Sequence, residues 1–217
     1  MALEFELKLP EKPSDGAPLI VLLHGRGSDR FDLLGLRRGL PSDAIIVTPQ
    51  APFPAGPWGY GPGYAWYQFL GEDRPDPATF GEAQERLGDF LAGIAVDLPV
   101  TPGSLTLGGF SQGGTMSLGY ALMHPDSVPN VLNFSGFLPS HPRVEATART
   151  VQGTRFFWGH GLQDPAIPFA LAERGRAVLR NAGADLEARD YPIGHWIDPS
   201  ELAAAADWLA APEKGQE

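Results

Sequence analysis

Ser111 stands in Gly109-Phe110-Ser111-Gln112-Gly113, a G-x-S-x-G segment that ends the strand-like run from Leu105 and opens a helical stretch reaching about Met123. A serine on a tight strand-to-helix turn projects its hydroxyl outward, and the turn crowds its neighbours, so glycine at 109 and 113 answers a steric need. The helix that follows aims its N-terminal backbone N–H groups at the same spot, where they would stabilise negative charge on a carbonyl oxygen beside Ser111. A nucleophile and an anion site therefore arrive in one segment, and the chemistry they suit is acyl transfer.

A serine hydroxyl is a weak nucleophile until a base takes its proton, and imidazole is suited to that work near neutrality. Of the five histidines, His24 precedes an early glycine loop, His124 lies near a helix end and His141 sits in a proline-flanked loop. All three read as structural. His160 closes a strand and reads as a loop residue bonded to backbone. His195, in Tyr191-Pro192-Ile193-Gly194-His195-Trp196, lies past the last strand and before the final helix, where a loop can carry it over the sheet edge to Ser111. The acid that orients it should fall between serine and histidine in chain order. Asp164, in Gly161-Leu162-Gln163-Asp164-Pro165, follows a strand and is well placed; Asp190 is the rival, embedded in a strand pattern.

These side chains need a scaffold that brings loop ends together. Leu3 to Leu9 alternates polar and apolar residues, as a half-buried edge strand does. Pro18 to Leu23 and Ala44 to Thr48 are continuous apolar runs suited to interior strands. Further strands are expected at Leu105, Asn130 to Phe134, Thr154 to Gly159 and Asp185 to Tyr191. Helices are expected over Thr79 to Val96, after Ser111, over about Pro168 to Ala182, and after the capped start Asp198-Pro199-Ser200-Glu201. Strands alternating with helices predict an α/β fold with a mostly parallel central sheet covered by helices on both faces. Pro49 to Pro62 is too rich in proline and glycine for regular structure.

Composition narrows the function. The chain has 217 residues, 43% of them hydrophobic, enough for one sizeable core, so a single domain over 1–217 is expected, with 212–217 as a frayed tail. Twenty-six acidic residues against 16 basic ones give a formal charge of −10, which repels nucleic acid and anionic lipid. No cysteine is present, so disulfides, thiolate metal sites and a cysteine nucleophile are excluded. The opening Met-Ala-Leu-Glu-Phe-Glu-Leu alternates where a signal peptide would be uniformly apolar, and no run approaches the ~20 residues of a membrane span. A cytoplasmic protein without stable membrane insertion is the expectation, and a homodimer is compatible with it. No cofactor or metal is expected, since no H-E-x-x-H occurs and the Gly25-x-Gly27 pair has Arg30 where a dinucleotide fingerprint needs its third glycine.

The segments Leu22-Leu23-His24-Gly25, Gly109-Phe110-Ser111-Gln112-Gly113-Gly114, His160-Gly161 leading to Asp164-Pro165, and Gly194-His195 occur in the order found in the phospholipase/carboxylesterase family of small serine esterases, which includes the acyl-protein thioesterases. The chain resembles that family over nearly its whole length. The resemblance implies the α/β-hydrolase fold without a large lid domain, and hydrolysis of carboxylic esters or thioesters of short to medium acyl chains. It implies Ser111 as nucleophile, His195 as base and then acid, Asp164 as the group that holds the imidazole tautomer, and an oxyanion hole from the backbone N–H groups of Arg26 and Gln112. Two departures bear on substrate choice: Arg26 where many relatives are apolar, and Trp66-Tyr67-Gln68 where eukaryotic members often read Trp-(Phe/Tyr)-Asp. A dienelactone-hydrolase-like or peptidase-like activity on the same fold, or a non-catalytic ligand-binding homologue, are the alternatives. The aromatics of Pro49 to Tyr67 are expected to wall an acyl site, with Phe53, Trp58, Trp66 and Tyr67 as substrate contacts and Arg26 at the mouth; the competing role for such aromatics is to close the core.

Overall fold

The five residues of Leu19–Leu23 (β2) are all buried, but they face two ways. Leu19, Val21 and Leu23 join one apolar cluster, while Ile20 and Leu22 join another on the opposite side of the sheet. This two-sided burial is why the strand is a continuous apolar run, and it is repeated by Ile45–Pro49 (β3) and Asn130–Phe134 (β7). The computed structural model describes residues 3–211, so the expected frayed tail at 212–217 lies outside the described residues.

The other strands are Phe5–Lys8 (β1), Phe53–Pro54 (β4), Tyr64–Ala65 (β5), Leu105–Phe110 (β6), Arg155–Gly161 (β8) and Asp185–Tyr191 (β9). Among the described residues, seven strands form one sheet in the order β1-β3-β2-β6-β7-β8-β9, and β4 pairs with β5 in a separate hairpin. β1 is antiparallel to β3, and the remaining pairs in the large sheet are parallel. The helices are Pro77–Gly93 (α1), Gln112–Met123 (α2), Ala148–Val151 (α3), Phe169–Asn181 (α4) and Pro199–Ala210 (α5). Residues of α1, α2 and α4 cover one face of the sheet. α5 and the 3-10 segment Asp32–Gly39 cover the other. This is the α/β-hydrolase architecture, with a mostly parallel sheet, helices on both faces and no large lid domain.

Differences from the sequence reading sit at element ends and in the loops. The first helix begins two residues earlier than expected because Asp76 caps it, its carboxylate accepting from Thr79 N–H at 2.9 Å; it ends at Gly93 and gives way to a 3-10 turn over Ile94–Asp97. β8 runs two residues past Gly159 and so includes His160. The 3-10 segment Asp32–Gly39 was not expected, since Gly35 and Gly39 weaken its helical signal. The proline- and glycine-rich stretch after β3 contains the β4–β5 hairpin and a short 3-10 turn.

The capped start of α5 carries a measurable consequence. Asp198 Oδ1 accepts from Ser200 N–H at 2.8 Å, and Glu201 reaches back to accept from Asp198 N–H at 3.3 Å. Glu201 is fully buried against β8, where a Cβ on Gly159 would overlap its Oε1, and no partner for that oxygen exists among the described residues. Burial pushes the Glu201 carboxyl up to about 7 from 4.5. Because the folded value is the higher one, the protonated carboxyl supports the fold below pH 4.5, and that support is lost as pH rises through about 7. We expect wild type to lose on the order of 2 kcal/mol relative to Glu201→Gln between pH ~5.5 and ~8, measured by urea unfolding. A stability difference independent of pH would contradict this.

Candidate active site

Ser111 occupies the bend between β6 and α2 with φ 55° and ψ −114°, a conformation costing about 1–3 kcal/mol for a residue with a side chain. The surrounding packing holds it there. Ser111 N–H donates to Phe134 O at 2.8 Å, and Thr115 N–H donates to Ser111 O at 3.0 Å. A Cβ on Gly109 would collide with Gly113 and with the carbonyl of Leu23, and one on Gly113 would overlap that same carbonyl, so α2 can start this close to β2 only with glycine at both positions.

His195 Nε2 lies 3.0 Å from Ser111 Oγ, and its Nδ1 lies 2.6 Å from Asp164 Oδ2. The carboxylate can only accept, so Nδ1–H donates to it, which leaves Nε2 free to accept the serine proton. Asp164 is held from its other side as well: Oδ1 accepts from the N–H groups of Ala166 and Ile167, both at 2.8 Å. Burial alone would raise its carboxyl, but the hydrogen bond from His195 and those from Ile167 and Ala166 outweigh burial and hold it below the usual carboxylate value. The two loops are also stitched together by backbone, with Leu162 N–H donating to Tyr191 O and Gln163 N–H to Ile193 O. Asp190, the rival acid, is engaged elsewhere, 2.5 Å from Nη1 of the buried Arg176.

Two other histidines are fixed by the backbone around this centre. His160 is fully buried and donates from Nε2 to Ile167 O at 2.9 Å, closing the turn that presents Asp164. His24 donates from Nδ1 to Gly25 O at 2.7 Å, and its Nε2 accepts from Ala51 N–H at 3.0 Å. Burial pushes both imidazoles below their ordinary value, which keeps them neutral. His124 packs on Tyr120 and His141 on Phe80, away from Ser111.

A cavity of about 190 Å³ opens above Ser111 and His195. Its apolar lining comes from Tyr67, Phe69, Phe110, Phe137 and Ile167, and its polar lining includes Arg26, Ser28, Asp32 and Gln112. No acceptor among the described residues takes the backbone N–H of Arg26 or of Gln112. The Arg26 guanidinium rests over the ring of Tyr60, 4.6 Å from its centroid.

Of the four aromatics expected to contact substrate, Tyr67 lines the cavity and three do not. Trp66 is fully buried, and its indole N–H donates to His24 O at 2.9 Å, so it belongs to the core. Phe53 and Trp58 pack on one another at 5.3 Å in and beside the β4–β5 hairpin and lie outside the cavity lining. Aromatic composition of a loop does not say which rings turn inward. Phe69, Phe137 and Ile167 were missed because they are far apart in sequence and meet only through the fold. Phe110 sits inside the G-x-S-x-G segment itself, where its proximity to Ser111 was a readable signal.

The model of the family described as Phospholipase/Carboxylesterase matches residues 6–212. A probable carboxylesterase of Oryza sativa subsp. japonica is 33% identical over 112 residues, which cover 51% of this chain and 42% of that protein. The chain thus spans less than half the length of that relative. Acyl-protein thioesterase 1 of Mycosarcoma maydis is 29% identical over 215 residues, covering 88% of this chain and 89% of its own. The crystal structure of esterase PE8 superposes with a TM-score of 0.81 at 27% identity, over 97% of this chain and 99% of that one. The chain belongs to the phospholipase/carboxylesterase family.

Proposed function

We propose that the protein is a serine hydrolase that cleaves carboxylic esters or thioesters of short to medium acyl chains through an acyl-enzyme intermediate. The observation that carries this reading is the unbroken hydrogen-bond line from Ser111 Oγ through His195 to Asp164 at the foot of an aromatic-walled cavity. In the first half-reaction Ser111 Oγ attacks the carbonyl carbon as its proton passes to His195 Nε2. The new imidazolium is stabilised by Asp164, and the tetrahedral oxyanion is received by the backbone N–H groups of Arg26 and Gln112. Collapse breaks the bond to the leaving oxygen or sulfur, which takes the proton from His195. Water then repeats the sequence on the acyl-enzyme, releasing the acid and restoring Ser111.

Cavity size supports a limit on the acyl group. At about 190 Å³ the cavity is smaller than the ~300–1,000 Å³ typical of ligand pockets. A series of p-nitrophenyl esters from acetyl to palmitoyl tests both parts of the reading. We expect kcat/KM to peak near four to eight carbons and to fall beyond, because each further methylene finds no apolar surface to bury, about 0.8 kcal/mol apiece. A steady rise to palmitoyl would contradict the size limit, and no turnover of any ester would contradict the hydrolase reading itself.

A further inference from the structure

Arg26 and Gln112 follow β2 and β6, strands that pair directly, yet the loops carrying them leave the sheet separately. Two donors can converge on one oxygen only if those loops are fixed relative to each other. The segment 64–67 lies across both. On its first side it is bonded to the loop of Arg26: Gly27 N–H donates to Tyr64 O at 2.8 Å, Tyr64 N–H to Ser28 O at 2.7 Å, and the Trp66 indole N–H to His24 O at 2.9 Å. These bonds grip the chain on either side of Arg26. On its second side it meets the Gln112 amide, whose Oε1 accepts from Trp66 N–H at 3.0 Å and whose Nε2 donates to Tyr67 O at 2.9 Å. Every polar atom of that amide side chain thus has a backbone partner, and Gln112 is buried.

We infer that Trp66 and the side chain of Gln112 form a brace that sets the spacing of the two oxyanion donors, so that these two side chains act by positioning the backbone N–H groups and not by touching substrate. The inference rests on the serine-hydrolase reading. The indole N–H is the only side-chain donor in the brace that reaches the Arg26 loop, and the Trp66 ring also packs on His24 at 5.6 Å. Because Trp66 is outside the cavity lining, it has no route to the acyl chain. Its effect must pass through the placement of backbone N–H groups, where removing one oxyanion donor outright costs about 10²–10³ in kcat and a misplacement of about 1 Å can cost 10².

The test is Trp66→Phe, which keeps a ring on His24 and deletes the N–H. We expect kcat to fall roughly 10- to 100-fold with KM within about threefold, and affinity for an alkyl boronic acid, which mimics the tetrahedral adduct, to weaken by the same factor as kcat. A rise in KM at unchanged kcat would make Trp66 a substrate contact and overturn the inference, as would full activity. So would a fall in kcat without weaker boronate binding. If Trp66→Phe does not fold, Gln112→Met, which removes both amide bonds from the other end, carries the same expectations and the same contrary outcomes. Ser111→Ala, run alongside, separates the two claims: turnover that survives in Ser111→Ala removes the hydrolase reading, whereas an inactive Ser111→Ala beside an undiminished Trp66→Phe removes only the brace.

Discussion

Ser111→Ala is expected to lower kcat by roughly 10⁴ to 10⁶ while leaving KM close to wild type, because a triad without its nucleophile retains only the binding and anion-stabilising contributions. Stability should not fall with it. Alanine at φ 55° bears the same backbone strain as serine, and the Oγ it removes has His195 as its hydrogen-bond partner, so the deletion frees the imidazole without leaving a new unpaired group in the core. Steady-state kinetics on the preferred p-nitrophenyl ester, together with a thermal melt, measure both parts. A variant within tenfold of wild-type kcat would place the nucleophile elsewhere.

Asp164→Asn comes next in size, with kcat expected to fall about 10³- to 10⁴-fold. The geometry forces the orientation of the new amide. Oδ1 of residue 164 receives two backbone N–H groups, so the asparagine oxygen must remain on that side and its NH₂ must face His195 Nδ1. Nδ1 then becomes the acceptor, the proton moves to Nε2, and Nε2 can no longer take the proton from Ser111. The acid loop itself should survive, since its backbone bonds to Asp164, to Tyr191 and to Ile193 are all retained. Asp190→Asn gives the contrast. Asp190 pairs with Nη1 of the buried Arg176, whose Nη2 donates to Trp158 O, so the change should cost stability and leave kcat within a few-fold. The opposite ranking of the two variants in kcat would reassign the acid.

Much of this fold was readable because its signals are local. Leu19 to Leu23 is a continuous apolar run because both faces of its strand are covered. The bend at Ser111 was readable because it leaves no room for side chains at 109 and 113, and the placement of Asp164 and His195 beside it because each follows a strand in the expected chain order. Beyond Tyr67 and Phe110, the cavity walls were not legible. Phe69, Phe137 and Ile167 come from three separate connections and converge only when the sheet brings its loop ends together. Trp66 lies outside the cavity lining for a related reason. An indole beside prolines and glycines looks available to a ligand, whereas the carbonyl of His24, far away in sequence, gives its N–H a buried partner and draws it into the core.

Peptide mapping of the protein after reaction with a fluorophosphonate tests the central claim most directly. One phosphonyl adduct per chain is expected, on the peptide that contains Ser111, with loss of esterase activity in proportion to labelling and no adduct in Ser111→Ala. An adduct on a different serine, or labelling that persists in Ser111→Ala, would contradict the assignment of Ser111 as the nucleophile.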